Sequence, residues 1–348
     1  SFSDNENRYL ALRPSFNWGD LKAGEYTADY ERFVIDQFVF RDNWIGLKTI
    51  SERFLLKQEI NSVYIAKEEY LIERHDKSTI NKEQEEVNIQ RLIEFIKKYD
   101  NKYMSNVNLM LVPTASEILV DKLPLFANGY DQLALIDRIN KELGNKNILV
   151  DISDTLKSHS NEYIYYKTDH HWTSLGAYYA YEKWVVNNGV QPIARDEFDV
   201  IELKDFYGTL YSKININIKP DIINLYKIKK DMGYIHISDN KDKSNSLYDL
   251  SKLNIKDKYS VFLGGNHSID EITTNNKNGK SLLLIKDSFA HSIIPFICNH
   301  FEKVYLIDLR YFNTSLETFI EEKEITDILV LYNVINYVKD NNASKLLK

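Results

Sequence analysis

The segment Ser281-Leu282-Leu283-Leu284-Ile285-Lys286-Asp287-Ser288-Phe289-Ala290 passes from a short, uniformly apolar run into an amphipathic one. That pattern predicts a buried strand ending just before Ser288 and a helix, Phe289 to Phe301, starting just after it. A hydroxyl so placed lies at the carboxyl edge of a parallel sheet, where α/β folds bind ligands. The free N–H groups of a helix start also favour a developing oxyanion. The same position suits a plain helix cap, with Asp287 or Ser288 capping. No Gly-x-Ser-x-Gly elbow surrounds Ser288, which argues against an α/β-hydrolase.

A serine nucleophile needs a base on its hydroxyl and a carboxylate to orient that base. The stretch Tyr165-Tyr166-Lys167-Thr168-Asp169-His170-His171-Trp172-Thr173 offers both. In an extended loop, residues two apart share a face. Asp169 and His171 then point one way and His170 the other, while Trp172 is placed to wall the site. Two other readings stay open. One is a structural histidine ahead of a helix capped by Thr173 or Ser174. The other is a metal site of Asp169, His170 and His171, which needs a further ligand; His159 and His267 are available but sit in no recognised motif. The triad, without metal or cofactor, is the reading adopted.

Three more positions fall near the same predicted edge. Val261-Phe262-Leu263-Gly264-Gly265-Asn266-His267 reads as an apolar strand ending in a glycine turn. Gly265 can expose a backbone N–H and Asn266 a side-chain donor, together completing an oxyanion hole, or the segment is a simple β-turn. Arg310 follows the predicted strand Lys303–Ile307 and either meets an anionic or hydroxyl-rich substrate or pairs with Asp308. Asn333 follows the last predicted strand and either donates into the cleft or ends the strand as a turn residue.

The elements that must hold these groups alternate along the chain. Helices are expected over 81–99 (with Val87, Leu92, Phe95 and Ile96 on one face), 130–143, 173–186, 289–301 and 316–322. Strands are expected over 107–112, 147–152, 281–285, 303–307 and 327–331. Short apolar strands between amphipathic helices indicate an α/β fold, a mainly parallel, flavodoxin-like sheet with helices on both faces. Residues from about 190 to 265 alternate short β-type runs such as Ile214–Ile218 and Tyr234–Ile237, and read as an inserted, β-rich lobe. Residues 1–60 read as an N-terminal helical segment packing on the core. It comprises two helices broken near Val39-Phe40-Arg41-Asp42, with Asp42 as an N-cap; the α/β domain fills 61–348.

Composition removes several classes of function. A net charge of −7 over 348 residues argues against nucleic acid as the partner, since phosphate binding calls for a basic surface. One cysteine, Cys298, lies in an apolar run. It excludes an internal disulfide framework and reads as a small buried hydrophobe. No stretch is apolar and long enough to span a membrane. The opening, Ser1-Phe2-Ser3-Asp4-Asn5-Glu6-Asn7-Arg8, reads as the middle of a longer protein, so a signal or anchor is expected before it.

The tetrad Asp169-His170-His171-Trp172 resembles the signature of the DHHW protein family of Gram-positive bacteria. That family looks related to the alginate O-acetyltransferase proteins, a branch of the SGNH hydrolase-like superfamily. Lys286-Asp287-Ser288-Phe289 resembles the nucleophile block of that branch. Glu6-Asn7-Arg8, Arg13-Pro14, Phe40-Arg41-Asp42, Val63-Tyr64-Ile65-Ala66-Lys67, Asp308-Leu309-Arg310 and Leu331-Tyr332-Asn333 resemble its weaker landmarks. The resemblance implies an SGNH-like fold with Ser288 as nucleophile, His171 as base and Asp169 as the orienting carboxylate. It implies acetyl transfer to a cell-surface polysaccharide outside the cytoplasmic membrane, supplied by a membrane-bound O-acyltransferase. An acetylesterase with the same triad, or a non-catalytic carbohydrate-binding or assembly protein, are the alternatives. The glycine and asparagine blocks of ordinary SGNH hydrolases do not map onto this chain, so Gly265 and Asn266 rest on the reading of the residues alone.

Overall fold

A computed structural model describes residues 2–3, 8–37, 41–55, 57–100, 104–144, 147–239 and 241–348. Its centre is a seven-stranded sheet of β1 (Asn106–Val112), β2 (Ile235–Ser238), β3 (Asp242–Ser244), β4 (Ile269–Thr273), β5 (Ser281–Lys286), β6 (Lys303–Ile307) and β7 (Asp327–Asn333). The spatial order is β3-β2-β4-β6-β5-β7-β1. The four strands β6, β5, β7 and β1 are parallel, whereas β4, β2 and β3 extend the sheet antiparallel. The fold is thus mixed α/β, and parallel only across its site-bearing half.

The parallel strands read as continuous apolar runs because both of their faces are buried. In β5, Leu282 and Leu284 face one core with Ala177, Tyr181 and Trp184 of the helix Ser174–Asn187. Leu283 and Ile285 face the other, with Ile89, Leu92, Phe95 and Ile96 of the helix Lys82–Asp100. The alternation follows from the two-residue period of a strand. Val87, expected on the inner face of that helix, is 48% exposed; the buried stripe runs through Asn88 and Ile89 instead. The helix expected over 130–143 is Gln132–Glu142, capped by Asp131 and followed by Gly144 at φ +82, the left-handed position glycine favours after a helix.

The second difference lies in the expected inserted lobe. Phe198–Phe206 and Asp221–Ile228 do form an antiparallel ribbon. However, Tyr234–Ile237 falls largely in β2 of the central sheet, and Ile214 closes a short helix, Thr209–Ile214. The strand expected over 147–152 is reduced to one parallel bridge, Leu149 to Leu109. Val63–Ile65 is a strand, but of a separate three-stranded sheet with Glu59–Ile60 and Leu71–Glu73.

Before residue 60 the described residues form the helices Trp18–Ala23, Glu25–Asp36 and Arg41–Phe54. Asp42 lies inside the third rather than ahead of it, while Val39 and Phe40 lie outside the described residues. That helix meets Thr209–Ile214, where the buried Thr49 hydroxyl donates to Ile214 O at 2.6 Å. Among the described residues, no helix is long and apolar enough to cross a membrane.

Candidate active site

At the carboxyl end of β5 the chain turns sharply. The expected helix from 289 to 301 is a succession of short turns: 3-10 over Ser288–Ser292, α over Ile294–Ile297, and 3-10 over Cys298–His300. No long helix dipole therefore backs the serine. Asp287 takes the capping role, its Oδ1 accepting from Phe289 N at 2.9 Å. Its Oδ2 accepts from Asn333 N (3.0 Å) and Asn336 Nδ2 (2.8 Å), tying β5 to the end of β7. Burial pushes the Asp287 carboxyl up, and these donors oppose it. With the cap supplied by Asp287, the Ser288 hydroxyl is left for another partner.

That partner is His171, whose Nε2 lies 2.8 Å from Ser288 Oγ. On the opposite side of the ring, Nδ1 lies 2.6 Å from Asp169 Oδ1, which also accepts the His171 backbone N–H at 3.0 Å. Asp169 Oδ2 accepts from Thr209 N at 2.8 Å and Thr209 Oγ1 at 3.1 Å. Burial opposes ionisation of Asp169, but the neighbouring imidazoles and the hydrogen bonds from His171 and Thr209 hold its carboxyl well below the usual range. The carboxylate is therefore ionised and its four-fold acceptor capacity is used.

The loop carrying Asp169 and His171 is not an extended run. Tyr165 and Trp172 pair across it, and Thr173 caps the following helix through Gly176 N. Asp221, 54 positions on, clamps the loop by accepting from Lys167 N (2.8 Å), Thr168 N (2.7 Å), Thr168 Oγ1 (2.6 Å) and the Tyr163 hydroxyl. Trp172 is fully buried and donates from its indole to Phe289 O at 2.8 Å. It does not wall the site as expected; it fastens the Asp-x-His loop to the serine turn. His170 Nδ1 lies 2.7 Å from Thr209 Oγ1, and His170 lines the same cleft as the serine.

Gly208 makes the approach to Asp169 possible. A Cβ there would stand 2.2 Å from Asp169 Cβ and 2.4 Å from its Oδ2. Gly208→Ala is expected to displace the carboxylate and lower turnover by about 10²-fold, the cost of roughly 1 Å of misplacement. Kinetics beside a thermal melt check this; turnover near that of the intact protein would contradict it.

His171 is packed between rings. Tyr259 stacks on it at 3.9 Å and 10°, and His170 lies at 3.9 Å and 37°. Burial, reinforced by His170 and opposed by Asp169, pushes its pKa down to about 4. A base must be neutral to accept a proton, so turnover should stay level as pH falls and drop only near pH 4. A pH–rate profile with its acid limb at the ordinary histidine value of about 6.5 would contradict this placement.

A cleft of about 480 Å³ opens over Ser288, lined by His171, Tyr259, Gly265, Asn266 and Arg310. The expected strand before Gly264-Gly265 is a 3-10 turn, Lys258–Val261. Gly265 N donates to Phe262 O at 3.2 Å, so this N–H is taken and Gly265 does not offer it to an oxyanion. Asn266 Oδ1 accepts from Arg310 Nη2 at 3.3 Å, which leaves its amide nitrogen as the donor on that wall. Arg310 is gripped by Asp308 through Nε (2.9 Å) and Nη2 (2.6 Å). The pairing with Asp308 is thus seen, and the paired Arg310 lines the cleft. Asn333 is corrected to a cap. Its Oδ1 accepts from Ile335 N and Asn336 N and its Nδ2 donates to Val112 O, so its side chain serves the chain's own backbone.

Asp169, His170 and His171 also bring three ligand-type atoms within 4.8 Å. The metal reading competes for groups the relay already uses: both carboxylate oxygens, both His171 nitrogens and His170 Nδ1 are hydrogen-bonded. Sequence reasoning did not single out Gly208, Thr209, Asp221 or Tyr259. They sit at the starts of short elements or in a 3-10 turn, and only the close approach in space marks them.

A family model described as DHHW protein matches residues 60–307. A DHHW family protein from Eubacterium siraeum superposes with a TM-score of 0.69 at 28% identity, over 83% of this chain and 95% of that one. Bacillus cereus PatB1, solved with a sulfonyl adduct, superposes at 0.67 and 20% identity, over 83% of this chain and all of that one (100%). The O-acetyltransferase domain of Pseudomonas putida AlgJ follows at 0.51 and 11% identity, over 81% and 94%. At such identities the last two speak for the fold alone. A comparison with curated proteins yields no match. The matched span takes in the Asp169-His170-His171-Trp172 loop and the Ser288 turn alike, and the chain belongs to the DHHW family.

Proposed function

We propose that this protein is a serine-dependent acyl-transfer enzyme that passes acetyl groups to hydroxyls of a cell-surface polysaccharide. The observation that carries this reading is the relay itself: Ser288 Oγ on His171 Nε2, Asp169 on His171 Nδ1, and an open cleft above the serine. Ser288 Oγ attacks the ester carbonyl carbon while His171 Nε2 takes its proton. The carbonyl electron pair moves onto oxygen, and Asp169 stabilises the imidazolium. When the tetrahedral intermediate collapses, the donor's oxygen leaves with the proton from His171, and Ser288 holds the acyl group. An acceptor hydroxyl then gives its proton to His171 and attacks the acyl carbon, and as the second tetrahedral intermediate collapses His171 returns that proton to Ser288 Oγ, freeing the serine.

Two of the fold relatives support this chemistry. One is an O-acetyltransferase domain, and PatB1 was captured with a sulfonyl adduct, a reaction of activated nucleophiles. The polysaccharide acceptor, the extracellular location and a membrane-bound O-acyltransferase as acyl supplier are supported by the family resemblance. The test is release of p-nitrophenol from p-nitrophenyl acetate, followed by analysis of whether acetyl moves to an added oligosaccharide or to water. Transfer to sugar supports the acetyltransferase, and acetate alone supports the acetylesterase. No release would turn the reading toward a binding protein on this fold.

A further inference from the structure

The fully buried side chain of Lys286 ends the strand that leads into the serine turn. Its Nζ is 2.8 Å from His291 Nε2; burial pushes its pKa down, opposed by the nearby carboxylates of Asp308 and Asp270. Charged or neutral, the amine has protons to donate to the lone pair of His291 Nε2. Burial, followed by the Lys286 charge, pushes His291 well below the ordinary histidine pKa, which keeps the ring neutral. A neutral imidazole that accepts at Nε2 carries its proton at Nδ1. Among the described residues, Lys286 is the one hydrogen-bond partner of this side chain, and the ring lines the catalytic cleft.

The turn places His291 on the lining of the same cleft as the nucleophile. Ser288–Ser292 is a 3-10 helix, in which residues three apart eclipse one another. Ser288 and His291 therefore share one edge of the turn. The ring is also held in orientation: Tyr259 lies parallel to it at 6.2 Å and 11°, and parallel to His171 on the same wall. The Tyr259 hydroxyl donates to Ser288 O at 3.1 Å, fixing the stack to the serine turn. A donor that is neutral, fixed and partly desolvated is what a developing oxyanion needs, because nothing has to reorganise as charge appears.

We propose that His291, held as the Nδ1–H tautomer by Lys286, is a further catalytic residue that donates a hydrogen bond to the acyl oxygen of the ester attacked by Ser288. The proposal rests on the serine acyl-transfer reading above. It also supplies a donor where Gly265 does not.

The test compares His291→Leu, which lacks the donor, with His291→Asn, whose amide nitrogen reaches the Nδ1 position. The Leu variant should lose about 10²–10³ in kcat for p-nitrophenyl acetate, the usual effect of removing one oxyanion donor, while the Asn variant stays within about tenfold of the intact enzyme. The acid limb set by His171 should stay near its original pH in the Asn variant. Equal losses in both variants, or a Leu variant within about threefold of the intact enzyme, would overturn the proposal. Nitrogen-15 NMR of the histidine rings in the intact protein provides a readout independent of how the variants fold. It should show His291 protonated at Nδ1, and a proton at Nε2 would overturn the proposal. Ser288→Ala separates the two readings, because turnover surviving that change removes the serine mechanism itself, whatever the His291 variants do.

Discussion

Ser288→Ala is expected to bring p-nitrophenyl acetate turnover down by about four orders of magnitude or more, to what cleft binding and the remaining donors can supply. Among the described residues, the hydroxyl makes one hydrogen bond, at 2.8 Å to His171 Nε2. Its loss costs about 1 kcal/mol of stability, so the thermal midpoint should move by no more than a few degrees. His171→Ala should lose a similar amount of turnover, and the double variant should be no worse than either single one, because nucleophile and base act as a unit. Additive losses, or a serine variant that keeps most of the activity, would contradict the assignment.

Asp169→Asn is expected to lower turnover by about 10⁴-fold while leaving Ser288 and His171 in the chain. The reason is the donor census around the carboxylate. Oδ1 faces the Nδ1–H and backbone N–H of His171, and Oδ2 faces the N–H and hydroxyl of Thr209. An amide has one oxygen for these two sides. If the oxygen keeps His171, the NH2 group confronts the Thr209 N–H. If the amide turns round, its NH2 group asks for a lone pair on His171 Nδ1 and sends the ring proton to Nε2, where the base must be empty. Either way a buried donor is left unmatched, adding a destabilisation of about 1–3 kcal/mol. Stopped-time turnover together with a denaturant melt checks both parts; a variant within about tenfold of the intact enzyme would contradict the orienting role of Asp169.

The Ser288, His171 and Asp169 cluster is legible in the sequence because each part sits on a short stretch with a clear local pattern. The run Leu282 to Ile285 is apolar on both faces because β5 is central, so its end at Asp287-Ser288 was visible. Asp169 and His171 are two residues apart, and their meeting with each other needed no knowledge of the fold. Their meeting with Ser288, 117 positions away, came from the family resemblance and is seen in the structure as a hydrogen bond.

What stayed hidden depends on long-range contacts. Gly208 and Thr209 reach Asp169 across 40 positions, and no periodicity marks Phe206-Tyr207-Gly208-Thr209. Asp221 follows Lys219-Pro220 and looks like a turn residue, yet it gathers four donors from the Asp169 loop and its flank. Trp172 reads as a wall of the cleft, and Asn333 as either a cleft donor or a strand-ending residue, because polar atoms near a sheet edge look available. Trp172 is tied to a backbone carbonyl instead, and Asn333 ends the strand as a cap. The antiparallel extension of the sheet is hard to see in the sequence because β2 and β3 are only four and three residues long and β3, at the edge, is polar, as edge strands often are. Cys298 matched its reading: it is fully buried, and burial pushes its thiol up to about 12.

The central claim is that Ser288 carries the acyl group. The most direct measurement is peptide mapping by mass spectrometry after brief exposure to p-nitrophenyl acetate with acid quenching, and in parallel after treatment with a sulfonyl fluoride. The account predicts an acetyl group and a sulfonyl group on the peptide containing Ser288, both absent in Ser288→Ala and both strongly reduced in His171→Ala. Modification of another residue, undiminished in the Ser288 variant, would contradict it.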